Sequence, residues 1–264
     1  MTARLGRILA WALLLSLTAG PVALLLIQAL SVRWFYPDLL PREWSAANLA
    51  GRLGDPQTQA ALWLSLRIGL LVSGLSLLVG YPAARALELG RLPGKNLIYL
   101  LLFLPNVVPG VAVGIGLNTL FLRLDLAGTA GGVALAHLIP VLPYTVFTLG
   151  GVLANYDQRY EQQARVLGAG RLQVFRLVTL PLLAPGLVAA ALFAFLISWS
   201  QYLLTFLIGG GQVQTLPLLL FATLSGGNQA AGSALALLFV SPLLLLIALA
   251  GRYLAAGPAL GEGA

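Results

Sequence analysis

LANYDQRYEQQARVLGAGRLQVFRLVTLPLLAPG, residues Leu153 to Gly186, is the longest polar stretch in a chain that is otherwise mostly apolar. It holds Arg159, Arg165, Arg171 and Arg176 with Asp157 and Glu161, and apolar runs long enough to cross a bilayer flank it. Tyr160, Ala164 and Leu167 fall at i, i+4 and i+7, one face of a helix. Asp157, Gln158, Glu161, Gln162 and Arg165 fill the rest, and Asp157 near the start suits the positive end of the helix dipole. Gly168 and Gly170 predict a stop and a turn. A second short segment, Arg171 to Leu180, places Leu172, Phe175 and Val178 or Thr179 on one side. Pro181 and Pro185 are expected to end it, because proline lacks a backbone donor and its ring clashes with the preceding turn. A polar folded segment of this kind faces either a partner protein or the lipid headgroups, and the pattern alone leaves both readings open.

Working outward, the composition is that of a membrane protein. Of 264 residues 59% are hydrophobic and 9% charged, against about 25% charged in soluble domains. The net charge of +7 would also suit a nucleic-acid binder. Here, however, the basic residues sit between apolar runs, so they are read as setting membrane orientation, and no nucleic-acid partner is expected. The chain has no cysteine, which excludes disulfides, thiol chemistry and cysteine-ligated metals. Six spans are expected, over residues 8–30, 60–84, 97–122, 130–154, 186–208 and 230–252, in one domain covering 1–264. The first follows the basic segment MTARLGR. Its uncharged run exceeds the roughly 7–15 residues of a signal-peptide core, so it is read as an uncleaved span. Trp34, Tyr36 and Trp44, among nearly balanced charges, suit an outer loop at the interface. Thr215 to Leu224 is too short to span and should lie at the surface or re-enter.

Several polar residues sit inside these spans. Pro105 and Pro109 in LPNVVPGVAVGIGL (Leu104–Leu117) predict a break in the third span, with Asn106 a polar contact beside it. Ser198, Gln201, Tyr202 and Thr205 share one side of the fifth span. Polar groups in hydrocarbon are costly unless partnered or facing water, so that side meets either other helices or a pathway. Asn106, Ser198, Gln201 and Tyr202 are the candidate pathway residues. His137, the single histidine, has no nearby Asp, Glu or Cys in the sequence for a metal site or a triad. It is read as a hydrogen-bonded buried residue. No metal, cofactor or catalytic residue is expected.

Lysine and arginine positions orient the chain. With the N-terminus inside, one face receives Arg4, Arg7, Arg85, Arg91, Lys95, Arg159, Arg165, Arg171, Arg176 and Arg252. The other receives Arg33, Arg42, Arg52 and Arg123, while Arg67 lies within a span. Ten against four places both termini and the 153–186 stretch in the cytoplasm. The segment Pro93–Asn96 lacks the glycine spacing and the Ser or Thr of a phosphate loop, and no nucleotide-binding motif is found elsewhere in the sequence.

Ala164-Arg165-Val166-Leu167-Gly168-Ala169, followed by Thr179-Leu180-Pro181-Leu182-Leu183-Ala184-Pro185-Gly186, resembles the EAA loop of permease subunits of binding-protein-dependent ABC importers. The resemblance implies an all-α fold with six transmembrane helices and a short cytoplasmic coupling helix between spans four and five, inside a coupling loop at about 155–185. It also implies a multi-pass protein of a bacterial inner membrane and no enzymatic chemistry. The implied partners are separate ATP-binding subunits, a second permease subunit of the same or similar kind, and an external solute-binding protein. The implied ATPase-coupling residues are Asp157, Tyr160, Glu161, Gln162, Gln163, Ala164, Leu167, Gly168 and Ala169. This sequence departs from the family pattern where Gln162-Gln163-Ala164 replaces Glu-Ala-Ala. Either Gln162 makes the contact through neutral hydrogen bonds, or Glu161 substitutes from another angle. The likeness is nearest to permeases for polyamines, thiamine, iron and small oxyanions or phosphonates. The alternative is a stand-alone secondary transporter or channel. The spans hold only His137 and Arg67 as coupling groups for it, and it leaves the polar stretch without a task.

Overall fold

The computed structural model describes residues 2–34, 37–90 and 92–255; Tyr36, Arg91 and the tail from residue 256 lie outside the described residues. The elements run α1 (Thr2–Ala29), β1 (Ser31–Arg33), β2 (Glu43–Trp44), α2 (Ala47–Gly54), α3 (Pro56–Leu89), α4 (Lys95–Val107) and α5 (Gly110–Arg123). They continue as α6 (Ala130–Ala154), α7 (Arg159–Val166), α8 (Arg171–Trp199), α9 (Leu203–Gly209), α10 (Leu216–Ser225) and α11 (Gln229–Ala255). Among the described residues, α1, α3, α6, α8 and α11 are long and apolar enough to cross a bilayer, and the bent pair α4–α5 adds a sixth if it crosses as one. The fold is that of an all-α membrane protein.

Two spans differ from the sequence expectation. The third, expected over 97–122 with a break at Pro105 and Pro109, is two helices meeting at 94°, and only Pro109 makes the break. The ring of Pro109 bars Val108 from the α region, and Val108 is extended at φ −71°, ψ 139°. Pro109 then caps α5, whereas Pro105 sits inside α4 without ending it.

The fifth span, expected over 186–208, begins at Arg171 and ends at Trp199. Pro181 and Pro185 do not terminate the segment before it. Phe175–Thr179 forms a π-turn, and the Leu180 N–H donates to the Phe175 carbonyl. The wide turn leaves Pro181 in the opening turn of the helix that follows, where a missing N–H costs little.

The chain forms two compact units. The first comprises 1–64 and 215–243. In it β1 pairs antiparallel with β2, Ser31 opposite Trp44, and Asn48 donates to the Ser31 carbonyl at 2.9 Å. Gln28 on α1 donates to Gln229 on α11 at 2.9 Å. Helix α10, at ten residues, rises about 15 Å, half the roughly 30 Å hydrocarbon core, as its length in sequence predicts.

The second unit comprises 65–214 and 244–264. Its core is Ala84, Leu87, Val146, Leu149, Leu153, Leu183 and Ala190, drawn from α3, α6 and α8. Helices α6 and α8 approach closely where Gly186 meets Val152, because only a residue without a Cβ fits there. Glu88 ties the end of α3 to α4 by accepting from Lys95 and from Tyr99.

Candidate functional site

The polar stretch folds as the sequence predicts over its first half. Asp157 Oδ1 accepts from the Arg159 amide at 2.9 Å and satisfies a donor at the start of α7. At the far end the Gly168 amide donates to the Arg165 carbonyl at 2.9 Å and the Ala169 amide to the Ala164 carbonyl at 3.0 Å. These are the paired bonds of a Schellman stop, which needs a left-handed residue, and Gly168 has φ +88°. Gln173 Oε1 then accepts from the Gly170 amide at 2.8 Å and opens α8.

Helix α7 has two unlike faces. Outward lie Tyr160, 51% exposed, then Val166 and Leu167 at 88% and 87%, with Gln162 and Gln163 also exposed and Ala164 and Ala169 half-buried. Inward lies Glu161, 5% exposed. Arg85 of α3 forks onto it, Nη1 to Oε1 at 2.9 Å and Nη2 to Oε2 at 2.8 Å. Tyr156 and Thr179 donate hydroxyls to Oε1 at 3.0 and 2.9 Å, and Arg165 reaches Oε2 at 3.3 Å. Burial alone would push the Glu161 carboxyl up, but the hydrogen bonds from Arg85, Thr179 and Tyr156 outweigh it and hold the group below the usual carboxylate range. The carboxylate is therefore ionised at neutral pH and fully engaged within this chain. Of the two positions weighed in the sequence, Glu161 is the buried one. The exposed position is that of Gln162.

Of the expected helix face, Tyr160 and Leu167 are exposed and Ala164 is half-buried, and Val166, next to Leu167 in the chain, is exposed too. An apolar pair next to a helix-stopping glycine in a polar segment was the signal for Val166. Arg85, Tyr156 and Thr179 had no such signal, since Arg85 lies 76 positions from Glu161.

The candidate pathway residues divide. Asn106 Nδ2 is buried without a hydrogen-bond partner among the described residues. Asn106 lines a cavity of about 160 Å³ with Pro105, Val108, Gly110 and Gln201, beside the α4–α5 break and the interruption between α8 and α9. Tyr202 is half-buried and stacks on Phe206, with ring centroids 5.9 Å apart.

Ser198 is turned into the chain, 3% exposed, with its Oγ 3.0 Å from His137 Nδ1. His137 Nε2 lies 3.0 Å from Thr205 Oγ1, which donates to the Gln201 carbonyl at 2.7 Å. A hydroxyl has one proton, so Thr205 accepts from Nε2–H and Nδ1 accepts from Ser198. The buried, hydrogen-bonded reading of His137 holds. His137→Leu should lower stability by about 1–3 kcal/mol, the cost of leaving the buried Ser198 hydroxyl without its acceptor. The check is the unfolding midpoint in detergent, which Ser198→Ala in the same background should partly recover.

Comparison with known proteins extends this geometry. Residues 76–257 match the family model of the binding-protein-dependent transport system inner membrane component. Over 223 residues the chain is 31% identical to a putative 2-aminoethylphosphonate transport system permease protein of Salmonella paratyphi A, covering 84% of this chain and 83% of that one. It is 30% identical to a diacetylchitobiose uptake system permease protein of Streptomyces coelicolor (79% and 75% covered). It is 29% identical to the spermidine/putrescine transport system permease protein of Haemophilus influenzae (70% and 72% covered). Among solved structures, a chain of a bacterial ABC transporter importing alginate superposes with a TM-score of 0.74 at 16% identity, covering 96% of this chain and 98% of that one. A chain of the MetNI methionine ABC transporter in an inward-facing conformation superposes at 0.58 and 18% identity, covering 75% and 94%. At these identities the likeness to the two structures is one of fold.

Proposed function

The chain belongs to the binding-protein-dependent transport system inner membrane components, the permeases of ABC importers, and from that premise we propose that residues 157–170 are the surface by which a separate ATPase drives it. The observation that carries this reading is the outward face of α7. Tyr160, Val166 and Leu167 stand exposed on a short helix that a buried carboxylate and a glycine stop hold rigidly in place. An apolar doublet nearly nine-tenths exposed, rimmed by Arg159 and Arg165, suits a groove with an apolar floor and acidic edges.

Orientation follows from the basic residues, with both termini and α7 in the cytoplasm. The chain supplies half of a translocation pathway, and a second permease, the same or similar, supplies the other half. An external solute-binding protein docks on the opposite side. Within this chain the pathway contribution narrows to Asn106, Gln201 and Tyr202, because Ser198 is engaged by His137. These groups are neutral hydrogen-bonding residues, suited to a small polar solute. The relatives include permeases for a phosphonate, for polyamines and for a sugar, and selection among solutes falls to the binding protein.

Co-purification tests the reading. The tagged chain should bring down a separate ATP-binding protein. Val166→Asp with Leu167→Asp should abolish that capture, since it would place two unpaired carboxylates against an apolar contact, where burying a charge without a partner is strongly unfavourable, while membrane insertion persists. Gln162→Glu, at an exposed position, should leave capture in place. Recovery of the chain without any ATPase, together with transport driven by an ion gradient alone, would overturn the reading.

A further inference from the structure

On the basis of the coupling role just proposed, we infer that Glu161 is a positioning residue that hands the movement of α7 to α3, α6 and α8, rather than a contact of the ATPase. The carboxylate joins four parts of the chain: Arg85 from the end of α3, Tyr156 from just beyond α6, Thr179 from the π-turn of α8, and Glu161 itself on α7. With Arg165 it receives five donor contacts on two oxygens. An ionised carboxylate offers about four lone-pair sites, so none is left for a partner protein.

The two faces of α7 thus have separate tasks. Tyr160, Val166 and Leu167 point away from the chain, and the neighbouring Glu161 points into it. If a partner shifts α7, the Arg85 fork must either break or follow. Breaking it would strand a buried charge, which is far more costly than moving a paired one. The fork therefore transmits displacement. Arg85 Nη1 also donates to Tyr81 at 3.2 Å, and the Tyr81 ring packs on Phe175 at 5.9 Å between centroids. This gives α3 a second hold on the same π-turn. A turn of that kind is a common point of adjustment in a helix, and here it sits between the carboxylate and the membrane-spanning part of α8.

The experiment uses the assembled transporter, with its ATPase and binding protein, in vesicles. Capture of the ATPase and substrate moved per ATP hydrolysed are both measured for Glu161→Gln, Arg85→Gln, and Arg85→Glu combined with Glu161→Arg. Tyr156→Phe and Thr179→Val, which each remove one donor and keep the ion pair, guard against a simple folding failure. The expected result is that every variant captures the ATPase. Transport per ATP should fall roughly tenfold or more in the two single charge variants, within the 5–150-fold range of ordinary coupling energies. It should fall less in the two hydroxyl variants and recover in part in the charge-reversed pair. Loss of capture by Glu161→Gln with capture retained by Arg85→Gln would make Glu161 a partner contact and overturn the inference. Full transport per ATP in Glu161→Gln would overturn it as well. Failure of the unsubstituted chain to capture an ATPase would instead overturn the coupling role itself, and that is read before any variant is compared.

Discussion

Gly168→Val is expected to abolish the proposed capture of a separate ATPase while leaving the membrane-spanning helices folded. Gly168 has φ +88° and nothing within 4 Å of where a Cβ would stand. The penalty is therefore conformational rather than steric. A side chain in the left-handed region costs about 1–2 kcal/mol, and a β-branched one is worse placed there than most. If the residue leaves that region, the bonds from Gly168 to Arg165 and from Ala169 to Ala164 are lost, at about 1 kcal/mol each. Either way the stop between α7 and α8 changes direction. Leu167, the residue just before it, then no longer presents with Tyr160 and Val166. Asparagine tolerates the left-handed region through local hydrogen bonding, so Gly168→Asn should retain most of the capture that Gly168→Val loses. Equal capture by both variants would show that the left-handed turn does not position the docking face. Hydrogen exchange or limited proteolysis at 157–170, with the ATPase pull-down, reads the effect directly.

The second large effect is expected at Gly186, where α8 crosses α6. A Cβ there would sit 2.6 Å from Val152 Cγ2, 2.9 Å from Cγ1 and 3.1 Å from Cβ. Every branch of Val152 is in the way, and a helical valine has one strongly preferred rotamer, so it cannot swing aside. Gly186→Ile must separate the two helices and loosen the core of Leu149, Leu153 and Leu183. Overpacking of this kind costs about 1–3 kcal/mol and more when backbones must part, enough to lose most folded protein in detergent. Gly151→Ile is the control, because Gly151 is exposed on α6 and has nothing within 4 Å of its Cβ position. It should fold like the parent. Gly186→Ala should be rescued by Val152→Ala, a coupling that adjacent sites show and distant ones do not. Similar unfolding midpoints for Gly186→Ile and Gly151→Ile would refute close packing of α6 on α8.

These two glycines differ in how far the sequence reveals them. Gly168 is legible because α7 has a short helical period ending at a glycine, and the stop is a local matter of hydrogen bonds over a few residues. Gly186 follows Pro185 in the family-like Leu-Pro-Leu-Leu-Ala-Pro-Gly run, but nothing local says that Val152 lies on it. The same division holds at the prolines. Val108-Pro109 breaks the third span because the restriction acts on the residue immediately before the proline. Pro181 does not end the helix it was expected to end, because a π-turn upstream accommodates it.

The sequence by itself determined the membrane class and the apolar runs. It also determined the helix–glycine–helix plan of the polar stretch, since all of these depend on composition or on periods of a few residues. Only the tertiary structure decided what those elements do with their polar groups. It turned Glu161 inward onto Arg85, 76 positions away, and left Tyr160, Val166 and Leu167 outside. It also gave Ser198 to His137 and left Asn106 and Gln201 at a cavity. The physical reason is that a helical period fixes which residues share a face, while the partner of a buried charge or hydroxyl is whichever distant segment packing brings within about 3 Å.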